Sequence, residues 1–200
     1  MTRIIAGGAG GRRLGTPQGD GTRPTSDRVR EALFSSLEAW AGNLTGLRVL
    51  DLYAGSGALG LEAWSRGAAA VWFVEKDRAA AAVVSANVRD LGCPVARVVT
   101  GPVGAVLSQP AGEPFDVVLS DPPYPLSEEE LAADLVALVE HGWLAPDALV
   151  VVERGRRSPE PAWPAGLEAG RRKKYGETVL WYGHAAPAAS VADDPQEDES

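Results

Sequence analysis

The chain has 200 residues, of which 45% are hydrophobic and 23% charged, a composition typical of a soluble protein with one core of ordinary size. No apolar run reaches the roughly 18–20 residues of a membrane-spanning helix, and the first residues lack the apolar region of a secretory signal. A single cysteine, Cys93, excludes an internal disulfide framework and predicts no metal cluster. We therefore expect a cytoplasmic protein that neither spans a membrane nor binds a metal.

The net charge of −8 is distributed unevenly along the chain. Residues 1–48 carry seven arginines and four acids, and residues 154–176 carry seven basic residues and two acids. The acidic excess lies in residues 49–153 and 177–200. Basic segments on both sides of an acidic body permit a polyanionic partner, although the total charge disfavours one.

In chain order, the run from Gly7 to Gly11 before Arg12 and Arg13 predicts a hairpin turn beside a basic surface. From residue 48 onward, β-rich runs alternate with helical stretches, and Asp77 and Ser127 are expected helix N-caps. The predicted strands are Arg48–Leu52, Ala70–Glu75, Val95–Val99, Phe115–Ser120 and Ala148–Glu153, with helices at about 57–67, 77–91 and 127–140. This alternation predicts an α/β fold, in which helices cover both faces of a mostly parallel sheet.

Two further segments follow near the end of the chain. Arg172–Tyr175 and Thr178–Tyr182 lie on either side of Gly176-Glu177 and predict a terminal hairpin. Residues 185–200 are rich in alanine and proline and then acidic, so they cannot bury enough apolar surface to become ordered. We predict that they form a disordered tail.

The first predicted strand of the sheet, Arg48–Leu52, contains Asp51 near its end and leads into a glycine-rich loop. Gly55, Gly57 and Gly60 match the pattern GxGxxG, which also occurs in dinucleotide sites. A carboxylate at Asp51 would repel a pyrophosphate but suits a ligand that carries a cationic amine and a sulfonium, and Glu75 could accept hydrogen bonds from ribose hydroxyls. For either acid alone, a solvated strand end or a helix N-cap is the alternative. Together they predict an S-adenosylmethionine site whose residues are Asp51, Ala54, Gly55, Ser56, Gly57, Glu75 and Asp121.

The strand Phe115–Ser120 is followed by the most specific short motif of the chain, Asp121-Pro122-Pro123-Tyr124. An exocyclic amine on a planar ring is a poor nucleophile because its lone pair is delocalised. The Asp121 side chain and the Pro122 carbonyl can accept its two N–H bonds, while the prolines fix the backbone and Tyr124 offers a stacking face. An ordinary turn after a strand is the alternative. Because the motif follows a β-rich strand and lies beyond the glycine loop in the sequence, we favour a catalytic role over a turn.

The sequence DLYAGSG followed by DPPY resembles the class I amino-methyltransferases, a group that includes DNA adenine-N6, rRNA guanine-N2 and protein glutamine-N5 enzymes. Arg3–Gly7 and Gly21–Phe34 resemble the bacterial family that methylates N2 of guanine 966 in 16S rRNA, and the similarity covers about residues 1–183. The resemblance implies a Rossmann-like, seven-stranded sheet preceded by a short β-hairpin and a helix.

The resemblance also implies an RNA-contacting extension at 1–40 and a methyltransferase domain at 41–184, to which the composition adds the disordered acidic tail at 185–200. It makes arginines near the N-terminus candidate rRNA contacts, although some of them are expected to pair with Asp27 or Glu31. These arginines are Arg3, Arg12, Arg13 and Arg23, together with Arg28 and Arg30. The second basic cluster, Arg171–Lys174, either extends this surface or is a solvated strand edge.

The sequence departs from relatives at two places. Thr100–Val103 stands where relatives often have an acidic or polar side chain that contacts adenine, so backbone groups would have to serve. Asp121 stands where many relatives have Asn. The favoured function is methyl transfer to guanine N2 in 16S rRNA or the small ribosomal subunit, by a monomer. The alternatives are DNA adenine-N6 or protein glutamine-N5 methylation, a catalytically idle RNA-binding protein and a nicotinamide oxidoreductase.

Overall fold

The computed structural model describes residues 2–17, 26–123 and 125–187. Its strands are β1 (Thr2–Arg3), β2 (Arg13–Leu14), β3 (Arg48–Leu52), β4 (Ala70–Glu75), β5 (Ala96–Thr100), β6 (Phe115–Ser120), β7 (Leu144–Gly155), β8 (Leu167–Tyr175) and β9 (Thr178–Ala185). Its helices are α1 (Asp27–Ala41), α2 (Ala58–Ser65), α3 (Arg78–Leu91), α4 (Val103–Leu107) and α5 (Glu128–Glu140). Within the described residues, no helix is both long and apolar enough to cross a membrane.

Seven of the strands form one sheet in the order β5-β4-β3-β6-β7-β9-β8. Strands β3 to β7 are parallel to one another, whereas β9 runs antiparallel to β7 and β8 antiparallel to β9. β1 and β2 form a separate antiparallel hairpin. The predicted fold class, a mostly parallel seven-stranded sheet preceded by a short hairpin and a helix, is confirmed.

Side chains alternate between the two faces of the sheet, and each face is covered by helices. On β3, Val49 packs into the core formed with α1, α2 and α3, whereas Leu50 and Leu52 pack into the core formed with α4 and α5. Strands buried on both faces need apolar residues at nearly every position, which explains why their sequences are continuous apolar runs. Asp51 interrupts such a run, so it is the exceptional residue of β3.

Most predicted elements are confirmed, with small shifts at their ends. Asp77 and Ser127 are N-caps, since their side chains accept the N–H groups of Ala80 at 2.8 Å and Glu130 at 3.1 Å. β5 begins one residue later than predicted, and β7 is longer at both ends. Helix α4 was not predicted, because its five residues include Gly104, a poor helix former.

The predicted C-terminal hairpin is confirmed as β8 and β9, which are longer than the sequence indicated. The prediction of disorder from residue 185 is wrong at its first residue. Ala185 pairs with Leu167 across the hairpin, and the Ala186 N–H donates to the Gly166 carbonyl at 3.3 Å. Residues 188–200 of the predicted tail lie outside the described residues.

The N-terminal hairpin is held tightly against α2. Its turn includes Gly7 at a φ of +80°, where an added Cβ would lie 1.9 Å from the Ser65 carbonyl oxygen, so only glycine fits. The Ser65 hydroxyl accepts the Ala9 N–H at 2.9 Å and donates to the Ala6 carbonyl. The predicted glycine turn is therefore confirmed, and its glycines serve close packing as well as chain reversal.

Glu62 of α2 makes the second attachment of the hairpin. Its carboxylate is fully buried and accepts the backbone N–H groups of Ile5 at 2.7 Å and Ala6 at 3.0 Å. The Nε of Arg66 donates to the same carboxylate at 2.8 Å. A buried carboxylate with three donors is well satisfied, and it links the first residues of the chain to the helix after the glycine loop.

Candidate active site

The carboxyl ends of β3, β4 and β6 lie side by side, because Leu52 pairs with Val74 on one side and with Ser120 on the other. Ligands of open parallel sheets bind at this edge. The structure therefore brings together nine of the residues predicted for the site. They are Asp51, Ala54, Gly55, Ser56, Gly57, Glu75, Asp121, Pro122 and Pro123. Tyr124 lies outside the described residues.

The glycine-rich loop after β3 is a tight turn with left-handed backbone. Gly55 has a φ of +57° and Gly57 a φ of +77°, and the Gly57 N–H donates to the Ala54 carbonyl at 2.7 Å. A Cβ added to Gly57 would lie 3.0 Å from Val84, whereas one added to Gly55 would come no nearer than 4.0 Å to the protein, at the Tyr53 carbonyl. The open space beside Gly55 lets a ligand approach the loop backbone closely.

Glu75, the last residue of β4, fixes this loop from the neighbouring strand. One carboxylate oxygen accepts the Gly55 N–H at 2.9 Å, and the other accepts the Asp77 N–H at 2.8 Å. Each carboxylate oxygen can accept two hydrogen bonds, so both retain capacity for the hydroxyls of a ligand. Glu75 therefore combines a structural bond to the loop with acceptors at the edge of the sheet.

Asp51 lies deeper, with 1% of its surface exposed, and accepts the Gly60 N–H of α2 at 2.8 Å. Burial raises the pKa of the Asp51 carboxyl to about 8, the Gly60 hydrogen bond opposes this, and the charge of Glu75 adds to it. Asp51 therefore joins the strand to the first turn of the helix. A cation bound at the loop would favour its ionised form.

The buried carboxyl of Asp51 predicts a specific dependence of stability on pH. Because its folded-state pKa lies above its unfolded value, its contribution to stability is present at low pH and is lost as the pH rises toward about 8. Asp51→Asn keeps an oxygen acceptor for Gly60 and cannot ionise. In thermal melts without ligand at about pH 5 to 8, we expect the Tm of the wild type to fall relative to that of Asp51→Asn. An equal difference at every pH would contradict this role, and Asp90→Asn, at an exposed site, is the control.

The segment after β6 begins beside the carboxyl end of β3, where the glycine loop starts. The Asp121 N–H lies 3.5 Å from the Leu52 carbonyl oxygen, and the residue is half-buried at the carboxyl edge. The Pro123 carbonyl accepts the Leu126 N–H at 2.9 Å, which closes a turn. Among the described residues the Pro122 carbonyl accepts no hydrogen bond. This carbonyl therefore keeps its full capacity to accept a hydrogen bond.

The sequence-based predictions missed Asp134 and Asn87, two polar side chains that support the loop. The Tyr53 hydroxyl donates to the buried carboxylate of Asp134 on α5, and Tyr53 itself has a φ of +61°. Burial raises the pKa of Asp134 and, together with the Asp134 hydrogen bond, that of Tyr53. The available signal was an acid among the buried positions of α5, beside Leu131, Leu135 and Leu138.

Asn87 of α3 is the other missed residue, and it connects the N-terminal segment to the loop. Its amide nitrogen donates to the carbonyls of Ser56 and Gly15, both at 2.9 Å, and its amide oxygen accepts the Gly15 N–H at 2.8 Å. Asn87 occupies the buried face of α3 with Ala80 and Val84. A polar residue at such a position was the signal, because buried polar groups require partners.

The predicted RNA-contacting arginines are separated by the structure. Arg3 and Arg13 are cross-strand partners in the hairpin and both are exposed, and Arg3 lies 3.4 Å from Asp27 at the start of α1. Arg30 has 1% exposure, donates to the Arg3 carbonyl and pairs with Asp27, so it is unavailable to RNA. The expected pairing with Asp27 is confirmed. Arg23 lies outside the described residues.

Arg12 is the exposed neighbour of Arg13, and its guanidinium donates to the Asp90 carbonyl at 2.9 Å. Asp90 belongs to the last turn of α3, three residues after Asn87, which donates to the Ser56 carbonyl of the glycine loop. Three residues of helix span roughly 4.5 Å. Arg12 is therefore held about one turn of α3 from the glycine loop. Within the described ranges, no cluster of side chains could hold a metal ion.

Comparison with known proteins supports this description of the fold. The family described as "Conserved hypothetical protein 95" matches residues 2–184. The chain is 40% identical over 193 residues to the "Ribosomal RNA small subunit methyltransferase D" of Escherichia coli strain K12, an alignment that covers 96% of this chain and 94% of that protein. The solved structure of the Escherichia coli protein yhhF has a TM-score of 0.82 and 36% identity, covering 92% of this chain and 98% of that one.

A more distant structure shows the fold alone. The magnesium protoporphyrin IX methyltransferase of Synechocystis PCC 6803, solved with bound SAM, has a TM-score of 0.60 and 17% identity, covering 84% of this chain and 87% of that one. The seven-stranded sheet with the glycine loop at the end of its first long strand is therefore the class I methyltransferase fold.

Proposed function

Since the chain belongs to the family described as "Conserved hypothetical protein 95", we propose that it transfers a methyl group from S-adenosylmethionine to small-subunit ribosomal RNA. More specifically, we propose N2 of a guanine in 16S rRNA as the acceptor. The observation that carries the proposal is the adjacency of the glycine loop and Asp121, which follow neighbouring parallel strands. The guanine is supported by the resemblance of the N-terminal segment.

The residues at the edge fit such a methyl donor. When bound, S-adenosylmethionine supplies an electrophilic methyl group on a sulfonium. The open backbone at Gly55 admits a ligand close to the loop, and Glu75 has acceptor capacity for ribose hydroxyls. The Gly101 N–H already donates to the Glu75 carbonyl at 2.9 Å. Contacts to adenine would therefore come from other backbone groups after β5.

The acceptor amine would be oriented by the segment after β6. The Asp121 side chain and the Pro122 carbonyl would accept its two N–H bonds, which directs the nitrogen lone pair away from them and stabilises positive charge as it develops on nitrogen. Pro123 would keep its carbonyl in the turn with Leu126 and so hold the segment rigid. Tyr124 would provide a face for stacking of the base. Most of the rate enhancement would come from positioning, because no strong general base is needed.

The RNA would also contact the N-terminal hairpin. We include Arg3 and Arg13, because they are exposed on the same hairpin face, and Arg23 because of the resemblance. Arg12 is exposed and held at the last turn of α3, and we include it as a contact to RNA that passes beside the hairpin. The target base would have to be single-stranded or flipped out to reach Asp121.

The test is methyl transfer by the full chain from tritiated S-adenosylmethionine to 16S rRNA, supplied both as a naked transcript and in small subunits. We expect label in the rRNA, and nuclease digestion followed by mass spectrometry should identify N2-methylguanosine. Label that appears only as N6-methyladenosine would contradict the guanine assignment. Absence of label from both RNA substrates, with a protein that binds S-adenosylmethionine, would contradict rRNA methylation.

A further inference from the structure

A second basic surface lies at the far side of the sheet from the N-terminal hairpin. It comprises Arg156 and Arg157, directly after β7, and Lys173 and Lys174, near the end of β8; we refer to these four residues as the β8 rim. The two segments meet, because the Arg156 N–H donates to the Glu177 carbonyl at 2.8 Å in the turn between β8 and β9. The two segments thus bring four cations to one edge of the sheet, with the neighbouring Lys173 and Lys174 directed to opposite faces of β8.

The strand register places this rim at the edge of the proposed active site. Ser120 pairs with Val152, and Glu153, one residue further, pairs with Leu180, which in turn pairs with Lys173. Asp121, the residue after Ser120, therefore occupies the same row across the sheet as Lys173. Three strand spacings separate them, or roughly 14 Å. An RNA whose base reaches Asp121 would have its neighbouring backbone within range of the rim.

The charges of the rim are largely uncompensated. Within the described residues, Arg157, Lys173 and Lys174 form no ion pair. Arg156 lies 3.5 Å from Glu177, and both side chains are more than half exposed, a geometry worth little in water. The Lys173 ammonium donates to the Ser36 hydroxyl at 2.9 Å, which positions it without neutralising it. Arg157 and Lys174 are therefore the exposed cations without anionic partners that a phosphate backbone requires.

Other cations near the carboxyl edge are already engaged. Arg154 is buried and paired with Glu128 at the start of α5, and Arg30 is buried beside Asp27. The first turn of α5 carries three acids, Glu128, Glu129 and Glu130, which disfavour a polyanion on that side. A polyanion bound at Asp121 therefore meets favourable charge in the direction that crosses β7 and β9 to β8.

We propose that the β8 rim binds the phosphodiester backbone of the RNA substrate next to the target base. The proposal rests on the proposed function, since it takes RNA as the substrate. The RNA then lies between two basic surfaces, with the exposed Arg3 and Arg13 of the hairpin on one flank and the rim on the other. Because these contacts are to phosphate, they contribute affinity and orientation and not sequence preference.

The experiment compares two full-length variants of equal net charge. Arg157→Gln with Lys174→Gln removes two positive charges from the rim, and Gln109→Glu with Ala133→Glu adds two negative charges at exposed sites away from it. Binding of a 16S rRNA transcript is measured at several salt concentrations, and S-adenosylmethionine binding by calorimetry shows that each variant is folded. We expect the rim variant to bind RNA roughly tenfold more weakly, with a salt slope smaller by about two, and the control to keep the wild-type slope.

The outcomes separate this inference from the proposed function. A rim variant with the wild-type salt slope and affinity, in a chain that methylates rRNA, would overturn the inference and leave the function standing; the rim would then be only a solvated strand edge. Equal weakening in both variants would indicate a general charge effect and would also overturn it. A wild-type chain that binds S-adenosylmethionine but neither binds nor methylates rRNA would overturn both.

Discussion

Asp121→Ala should abolish methyl transfer while S-adenosylmethionine binding stays close to that of the wild type. In the proposed site the Asp121 side chain accepts an N–H of the target amine, an interaction that strengthens as charge develops on nitrogen. Removal of one such preorganised group typically lowers kcat by about 10²–10³. The measurement is single-turnover transfer of tritium to 16S rRNA, with calorimetry for the cofactor. Glu75 holds the loop through the Gly55 and Asp77 N–H groups, so the loop should keep its form.

Asp121→Asn is the matched control for this prediction. Asn retains an oxygen acceptor of the same shape, and many relatives in the resembled group have Asn at this position. We expect the Asn variant to retain most of the activity that the Ala variant loses. If both variants lost activity equally, the negative charge of Asp121 rather than its acceptor oxygen would be required. Unchanged turnover in Asp121→Ala would remove the residue from the proposed mechanism.

Glu62→Ala should cause the largest loss of stability among single changes outside the site. The substitution leaves the N–H groups of Ile5 and Ala6 without their acceptor and deprives Arg66 of its buried partner. Breaking a buried ion pair from one side costs about 3–5 kcal/mol. The measurements are the free energy of unfolding in urea and hydrogen exchange at the amides of Ile5 and Ala6. Both amides should exchange faster than they do in the wild type.

Glu38→Ala is the control for Glu62→Ala, because Glu38 is the other acidic partner of Arg66. The Glu38 side chain is 41% exposed and accepts no backbone N–H of the hairpin among its described contacts. A partly exposed pair contributes at most about 1 kcal/mol. Equal losses of stability in the two variants would show that Glu62 acts only through Arg66. The hairpin would then be held mainly by Ser65 and by packing around Gly7.

The parts of the fold that the sequence predicted are those set by local patterns. β3, β4 and β6 have the predicted limits because each is a short, mostly apolar run between turn residues, and the caps of α3 and α5 follow from single side chains. The glycine loop and Asp121 could be placed at one edge because parallel strands bring their carboxyl ends together. The short helix α4 lacks such a pattern.

The supporting polar residues could not be paired from the sequence. Glu62, Asn87 and Asp134 each occupy an apolar helix face, which indicates that a partner is needed but does not identify it. Apart from Arg66, four residues after Glu62, their partners lie 31 to 81 residues away and are backbone groups or a hydroxyl that carry no sequence pattern. The same limit applies to the arginines, because composition alone did not separate the buried Arg30 from the exposed Arg3 and Arg13.

Strand β8 is the last strand of the sheet and pairs only with β9 among the described strands. The outer backbone groups of such a strand can pair with the same strand of a second molecule, and this is a common route to aggregation. The run Arg171–Lys174 opposes that pairing, because two copies of the edge would bring like charges together. Apolar replacements in this run would therefore lower solubility. Glutamine remains polar, so it should not lower solubility in this way. For the same reason, only one or two charges of the rim should be removed in any one variant.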